Sequence, residues 1–129
     1  EKGKSCGVCP ACIFRRLALH AAGIEERRGT YHVDLLDGAS MISPKKQRYL
    51  KAFLLLVDHL TETSEGRLPI VIARHLRATE VIKNGESEQP YVDLYRRYTT
   101  EWVGLLRKAR AAGCNWSQLI DLPGEAAQA

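Results

Sequence analysis

The sequence predicts an all-α fold, an irregular bundle of about four principal helices that begins with a zinc knuckle. Apolar residues recur at spacings of three and four in four long segments, as they do on one face of a helix. Prolines stand near the starts of these segments and glycines follow several of their ends. Three cysteines at steps of three mark the beginning of the first segment. Because the connections are short, neighbouring helices are expected to be antiparallel.

The first helix is predicted from about Pro10 to Ala22. Cys9 is the expected N-cap, Pro10 fits the first helical position, where no backbone N–H is needed, and Gly23 follows the end as a C′ residue. The apolar face of this helix consists of Phe14, Leu17, Ala18 and Ala21. Residues 30–36 after it are expected to be extended.

The second helix is predicted from Pro44 to about Leu60, with Ser43 as its N-cap. Its apolar positions are Leu50, Phe53, Leu54, Leu55, Leu56, Val57 and Leu60. Since a helix that is apolar around most of its circumference is normally buried, this helix is expected to be the most buried of the bundle.

The third helix is predicted from Leu68 to about Lys83, and the fourth and longest from Pro90 to about Ala112. The fourth carries a regular row formed by Tyr91, Leu94, Tyr95, Tyr98, Trp102, Leu105, Leu106 and Ala109. Aromatic residues flanked by arginines also suit base stacking, but at this helical spacing we favour core positions. Asn115 is expected to cap a short terminal turn.

The composition is that of one globular domain that carries no membrane span. Hydrophobic residues make up 45% and charged residues 26% of the 129, and the formal net charge is +4. No apolar run approaches the ~20 residues of a bilayer-spanning helix, and no leader peptide is recognisable. The basic residues fall in short groups on different segments, which favours solvated helix faces over a nucleic-acid-binding patch.

Cys6, Cys9 and Cys12 are the candidate metal ligands. Zinc takes four ligands in a tetrahedron, and Cys-x-x-Cys steps let one turn of chain wrap the ion. The first turn of a helix lowers the pKa of a thiol, which favours the metal-binding thiolate. Arg15, one turn beyond Cys12, offsets part of the negative charge of a thiolate-rich site. The sequence therefore predicts a structural Zn²⁺ site, in a reducing, cytoplasmic setting.

The cluster supplies three of the four ligands. We expect the fourth from a residue just upstream of Glu1, with Cys114 as the second choice and His32 as the third. His20 is a poor candidate, because a helix rising ~1.5 Å per residue places it ~12 Å from Cys12.

Other uses of the three cysteines fit less well. A bacterial iron–sulfur run needs a fourth cysteine at the position of Arg16, so only an open three-cysteine cluster remains as an iron alternative. A redox Cys-x-x-Cys normally follows a strand, and none is predicted here. No Asp or Glu lies near enough in sequence to act as the general base of a catalytic zinc. Reduced thiols without a metal are the remaining alternative.

The run Cys6-Gly7-Val8-Cys9-Pro10-Ala11-Cys12-Ile13-Phe14-Arg15-Arg16 is followed by Ala22-Gly23-Ile24 and Thr30-Tyr31. In this order it resembles the C-terminal zinc segment of the 7-cyano-7-deazaguanine synthases of queuosine biosynthesis. These enzymes belong to the ATP-pyrophosphatase superfamily and convert a carboxy-deazaguanine to the nitrile with ATP and ammonia. The resemblance implies that Cys6, Cys9 and Cys12 are zinc ligands, that Arg15 is the arginine that recurs after them, and that the fourth ligand is a cysteine just before Glu1.

The resemblance covers residues 6–31 and implies a division of the chain. Residues 1–31 form the zinc knuckle and first helix, 32–122 a helical extension, and 123–129 a disordered tail. A Ser-Gly-Gly-x-Asp-Ser phosphate loop is absent from these 129 residues, so the chain alone is not expected to be catalytic and no catalytic residue is assigned. The long extension suggests a divergent branch, such as the synthase-like proteins associated with bacterial anti-phage operons.

The expected function is that of the C-terminal structural zinc-binding segment of a synthase-like ATP-dependent enzyme. The expected partners are the upstream ATP-binding domain of the same protein and a second copy in a homodimer. Two alternatives stay open: a stand-alone zinc-stabilised helical module that binds a protein or a nucleic acid, and part of a tRNA-modifying ATP pyrophosphatase. The latter enzymes also carry Cys-x-x-Cys zinc elements.

Overall fold

A computed structural model describes residues 3–122 and confirms the all-α fold. The helices are α1 (Pro10–Ala21), α2 (Arg48–Glu62), α3 (Leu68–Ala78) and α4 (Gln89–Ala111), followed by a 3₁₀ helix, Asn115–Gln118. Within residues 3–122 the sole β pairing is a parallel bridge between Ser5 and Tyr31, in which the segment predicted to be extended takes part. The predicted tail, 123–129, lies outside the described residues.

Helix α4 is the centre of the bundle. It packs against α1, α2, α3 and the 3₁₀ helix. The C-terminal half of its predicted apolar row is core, since Trp102, Leu105, Leu106 and Ala109 are fully buried. Toward its N-terminus the row diverges from the prediction, because Leu94 is 57% exposed while its neighbour Val92 is fully buried.

The core consists of two clusters, both of which include side chains of α4. The larger joins α1, α2, α4 and the chain after α4, and its members include Ile13, Leu54, Trp102 and Trp116. The smaller packs α3 against the N-terminal half of α4 around Ile72. The larger cluster contains residues from before and after position 31, where the sequence predicted a boundary between the zinc knuckle with its helix and the helical extension. These two parts therefore pack together as one body.

Helix α1 has the predicted ends but presents a different face to the core. Its buried residues are Cys12, Ile13, Arg16 and Leu17, whereas Phe14 is 44% exposed and Ala18 and Ala21 are exposed. The predicted face was wrong except for Leu17. Because Ile13 and Leu17 pack into the larger cluster, α1 is rotated about its axis relative to the prediction, and Phe14 lies at the edge of that cluster.

Helix α2 begins four residues later than predicted and is not the most buried helix. Residues 44–47 form a turn, in which the Gln47 N–H donates to the Ser43 carbonyl over 3.1 Å and the Gln47 side chain donates to the Ile42 carbonyl oxygen over 2.7 Å. The N-cap of α2 is Gln47 rather than Ser43. Leu50, Leu54 and Val57 are fully buried, but Leu55 and Leu56 are 55% and 40% exposed. The apolar circumference of α2 exceeds what the rest of the described chain covers.

Helix α3 ends earlier than predicted, at Ala78 rather than Lys83. Glu80 has a φ of +60°, a left-handed conformation that breaks the helix. The amide of Val81 then donates to the Leu76 carbonyl over 2.8 Å, and Ile82 turns back into the smaller core cluster. The burial of Ile82 accounts for the early end.

The 3₁₀ helix is tied to the chain between α1 and α2. The Trp116 indole N–H donates to the Leu35 carbonyl over 2.7 Å. Asn115 does not cap this turn; its amide donates to the Ile42 carbonyl over 2.9 Å and its oxygen accepts from the Ile42 N–H over 3.2 Å. Within residues 3–122, no helix combines the length and the apolar character that crossing a lipid bilayer requires.

Candidate metal centre

The three cysteines of the knuckle are placed by the start of α1. Cys9 is the N-cap, with an extended backbone at ψ 161°, and its carbonyl oxygen accepts the first helical hydrogen bond from Ile13 over 3.0 Å. Pro10 follows at the first helical position, so Cys12 lies in the first turn. This is the local arrangement that the sequence predicted, and it turns Cys9 and Cys12 toward Cys6.

The three sulfur atoms have the spacing of a shared ligand set. All three Sγ atoms lie within 4.8 Å of one another, and those of Cys6 and Cys12 are 3.8 Å apart. A tetrahedron with Zn–S bonds of ~2.3 Å has edges of ~3.8 Å. All four cysteines of the chain are free thiols. The group could therefore hold a metal ion.

The environment of Cys6 favours a thiolate. A backbone hydrogen bond from Val8 lowers the pKa of Cys6 to about 7, and the Cys9 N–H adds to this by donating to the Cys6 sulfur over 3.4 Å. Burial raises the pKa of Cys12. A bound cation would lower the pKa of each coordinated thiol, because it stabilises the thiolate directly.

A second segment, residues 30–33, braces the knuckle, and we call it the strap. The Ser5 N–H donates to the Thr30 carbonyl over 3.1 Å, and the Ser5 carbonyl accepts from His32 over 2.8 Å. One residue further on, the Val33 N–H donates to the Cys6 carbonyl over 3.1 Å. Gly7 is buried here with a φ of +90°, and a Cβ on it would collide with the Val33 carbonyl oxygen. The loop from Cys6 to Cys9 is thereby held against the strap.

Arg16 anchors the strap and the chain around it to α1. Its guanidinium forms ion pairs with Glu26 over 2.7 Å and with Asp34 over 2.5 Å, and it lies over the Tyr31 ring at 5.1 Å from the centroid. The Tyr31 hydroxyl donates to Glu26 over 2.8 Å. Both partners in the Arg16–Glu26 pair are buried, with side chains 11% and 6% exposed. We call these four residues the Arg16 network.

The electrostatics of the network follow from burial and ion pairing. Burial tends to raise the pKa of Glu26, but the hydrogen bonds from Arg16 and Tyr31 outweigh it and lower that pKa. Burial, reinforced by the Glu26 carboxylate, raises the pKa of Tyr31 to about 12. Glu26 is therefore an ionised acceptor and Tyr31 a neutral donor at neutral pH.

Sequence reasoning chose Arg15 and missed the Arg16 network. Arg15 pairs with Glu26 over 3.2 Å, but its side chain is 54% exposed and lies 6.0 Å from the Tyr31 centroid. The signal for Arg16 was its spacing: it follows Cys12 by four residues and so shares the buried face of α1. Its carboxylate partners could not be found from spacing, because they lie 10 and 18 residues away.

The remaining candidate ligands lie elsewhere. Within residues 3–122, the group of closely spaced ligand atoms comprises Cys6, Cys9 and Cys12 alone. Cys114 is 2% exposed in the larger core cluster, where burial raises its pKa. His20 packs against Gly104 of α4, and burial lowers its pKa. His32 is exposed on the strap. An upstream fourth ligand stays a prediction.

The Arg16 network also forms one wall of an open cleft of about 740 Å³. The lining also includes His20 of α1 and Lys108 of α4, so it mixes acidic and basic side chains. Comparison of the chain with protein-family models, with curated proteins and with solved structures finds no match.

Proposed function

We propose that Cys6, Cys9 and Cys12 are three ligands of a structural zinc ion. The observation that carries this proposal is the 3.8 Å separation of the Cys6 and Cys12 sulfurs, which is the edge length of a zinc–thiolate tetrahedron. The Val8 and Cys9 amides support it, since they stabilise negative charge on Cys6. An ion at this point links the loop before α1 to the first turn of α1. Its role is to hold the N-terminal part of the fold together.

We further propose that this centre belongs to a 7-cyano-7-deazaguanine synthase-like protein, of which the chain is a C-terminal part. The support is the order of residues from Cys6 to Tyr31, together with a knuckle that ends on a helix. In such a protein the zinc part would pack against an ATP-binding domain that carries the phosphate loop. The helices after the strap would then be an addition to the enzyme, as in the branch linked to anti-phage operons.

The zinc assignment is tested by elemental analysis of the 129-residue chain, purified without added metal. We expect close to one zinc per chain. Cys9→Ser should lose the metal and destabilise α1, while Cys114→Ser should keep it, because Cys114 lies outside the sulfur group. Iron with a visible chromophore, or unchanged zinc in Cys9→Ser, would overturn the assignment. Loss of zinc in Cys114→Ser would make Cys114 the fourth ligand.

The assignment to the synthase class needs a separate test. The genomic reading frame around this sequence should encode a Ser-Gly-Gly-x-Asp-Ser loop and, shortly before Glu1, a cysteine. A different upstream domain would contradict the class while leaving the zinc site intact.

A further inference from the structure

Helix α2 is apolar on two faces, and the described chain covers one of them. Leu50, Leu54 and Val57 form the covered face and are fully buried. On the opposite side, Leu55 is 55% and Leu56 40% exposed. A helix that is apolar on both sides normally lies between two layers. Here the second layer is missing among residues 3–122.

The uncovered face continues onto α1. Phe14 is 44% exposed, and its ring centroid lies 4.7 Å from that of the half-buried Phe53. Tyr49 precedes Phe53 by four residues on α2 and is 37% exposed, so the two side chains are neighbours on the helix surface. We call the set Phe14, Tyr49, Ala52, Phe53, Leu55 and Leu56 the α1–α2 surface. Contiguous exposed apolar residues of this kind mark interaction sites.

Positive charges border the α1–α2 surface. Arg48 and Lys51 are exposed, and each precedes a member of the surface, Ala52 or Leu55, by four residues. The Arg48 guanidinium lies 4.6 Å from the Tyr49 ring centroid. The sequence has no Asp or Glu in residues 2–24 or 38–57, so the acidic residues of α1 and α2 are confined to the last five residues of α2, where Asp58 follows Leu55 by three residues and Glu62 ends the helix. A second copy in a two-fold dimer would bring this cationic border against itself, which is unfavourable.

We propose that the α1–α2 surface docks an amphipathic helix whose apolar face is flanked by acidic residues. The helical form follows from the row of aliphatic and aromatic side chains on neighbouring helices, into which a partner helix packs residues at i, i+3, i+4 and i+7. The acidic flanks follow from Arg48 and Lys51. The aromatic rings of the surface already have partners, since Phe14 and Phe53 pack against each other and the Arg48 guanidinium lies over the Tyr49 ring. The aliphatic members offer no stacking platform, so a protein helix fits the surface better than single-stranded nucleic acid. The proposal does not depend on which ion the cysteines bind.

The test uses two fluorescently labelled helical peptides and the full 129-residue chain. Both peptides carry leucines at i, i+3, i+4 and i+7; one has glutamates beside the leucines and the other has lysines. Fluorescence anisotropy should show that the chain binds the glutamate peptide at least about tenfold more tightly than the lysine peptide. This difference is expected because the positive charges beside the surface attract glutamate and repel lysine. Leu55→Glu and Lys51→Glu should each lower the affinity for the glutamate peptide by about tenfold or more, which is the size of the loss at an interface hot spot.

The control is Ile70→Glu on α3. Ile70 is 59% exposed, close to the value for Leu55, but lies outside the α1–α2 surface. Ile70→Glu should leave the affinity for the glutamate peptide unchanged. Circular dichroism of each variant checks that the fold is kept. Equal affinity for both peptides, or no effect of Leu55→Glu, would overturn the proposal. A dimer of the chain that Leu55→Glu dissociates would also overturn it. So would binding of the chain to anionic vesicles or to a single-stranded oligonucleotide if the glutamate peptide does not bind.

Discussion

At the scale of single residues, Arg16 and Arg15 differ in spite of their adjacency. Arg16 is on the buried face of α1 and forms ion pairs with two carboxylates, those of Glu26 and Asp34. Arg15 is on the solvent-facing side of α1, and its side chain is largely exposed although it pairs with Glu26. Since burial strengthens ion pairing and makes the loss of one partner expensive, the two arginines should contribute very differently to stability.

Replacement of Arg16 by methionine should therefore lower the free energy of unfolding by about 3–5 kcal/mol, because it leaves the buried Glu26 carboxylate without its main partner. Arg15→Met is the matched control and should change that free energy by less than about 1 kcal/mol. Urea denaturation followed by circular dichroism gives both values. Equal losses for the two variants would show that the network does not act as a buried anchor.

Gly7 is the second residue on which the knuckle depends. Gly7→Ala should lower the free energy of unfolding by more than the ~1–2 kcal/mol that an alanine costs in the left-handed conformation, because the new Cβ also collides with the Val33 carbonyl oxygen. Gly23→Ala is the control: its φ is +72°, but nothing lies within 4 Å of a Cβ there. The difference in unfolding free energy between the two variants isolates the contact with the strap. No difference would mean that the strap moves away at little cost.

At the scale of elements, the connection before α2 is held by a distant side chain. Ser43-Pro44 has the sequence of a helix start, yet α2 begins at Arg48. Asn115, 73 residues away, pairs with both backbone groups of Ile42 and fixes the chain just before the predicted start. The turn that Ser43-Pro44 predicts is present, since the Gln47 N–H donates to the Ser43 carbonyl over 3.1 Å, but the regular helix begins four residues after Pro44.

Asn115→Ala should accordingly lower the unfolding free energy by about 1–3 kcal/mol, since it leaves the Ile42 N–H without its acceptor. Ser43→Ala should stay within about 0.5 kcal/mol of the unchanged protein, because Ser43 is exposed and does not cap α2. Thermal denaturation of both variants compares them directly. A larger loss for Ser43→Ala would restore it as a helix cap.

At the scale of the whole molecule, the knuckle and strap form one part and the core around α4 another. The amides of His32 and Val33 donate to carbonyl oxygens at Ser5 and Cys6, next to the sulfur group. Trp102 lies fully buried in the larger core cluster. An ion bound by the cysteines should therefore stabilise the first part far more than the second.

Removal of the metal by a chelator at neutral pH should raise the amide hydrogen-exchange rates of His32 and Val33 well above those in the metal-bound chain. The amide of Trp102 should change much less, because its protection comes from the packing of α4. Exchange measured by NMR with and without chelator resolves these residues. Uniform loss of protection would instead mean that the ion stabilises the entire fold, as in domains that unfold without metal.

Much of this fold and of its cysteine group was readable in the sequence because the responsible interactions are local. Three cysteines at steps of three, with Pro10 between the second and third, determine the sulfur group through the geometry of one helix start. The ends of α1 and α4 and the burial of Trp102 likewise follow from capping residues and helical spacing. The synthase-like function and the fourth ligand were also read from the sequence and stay predictions.

Only the tertiary structure decided which apolar faces are covered and what the charged residues contact. Spacing alone places Phe14 and Leu55 on apolar faces, but whether a second layer covers them depends on how the elements pack around α4. Arg16 meets Glu26 and Asp34 because the chain after α1 folds back over the knuckle. Such contacts join residues that are distant in the chain, and the free energy of packing, rather than the local conformational preference of either partner, selects them.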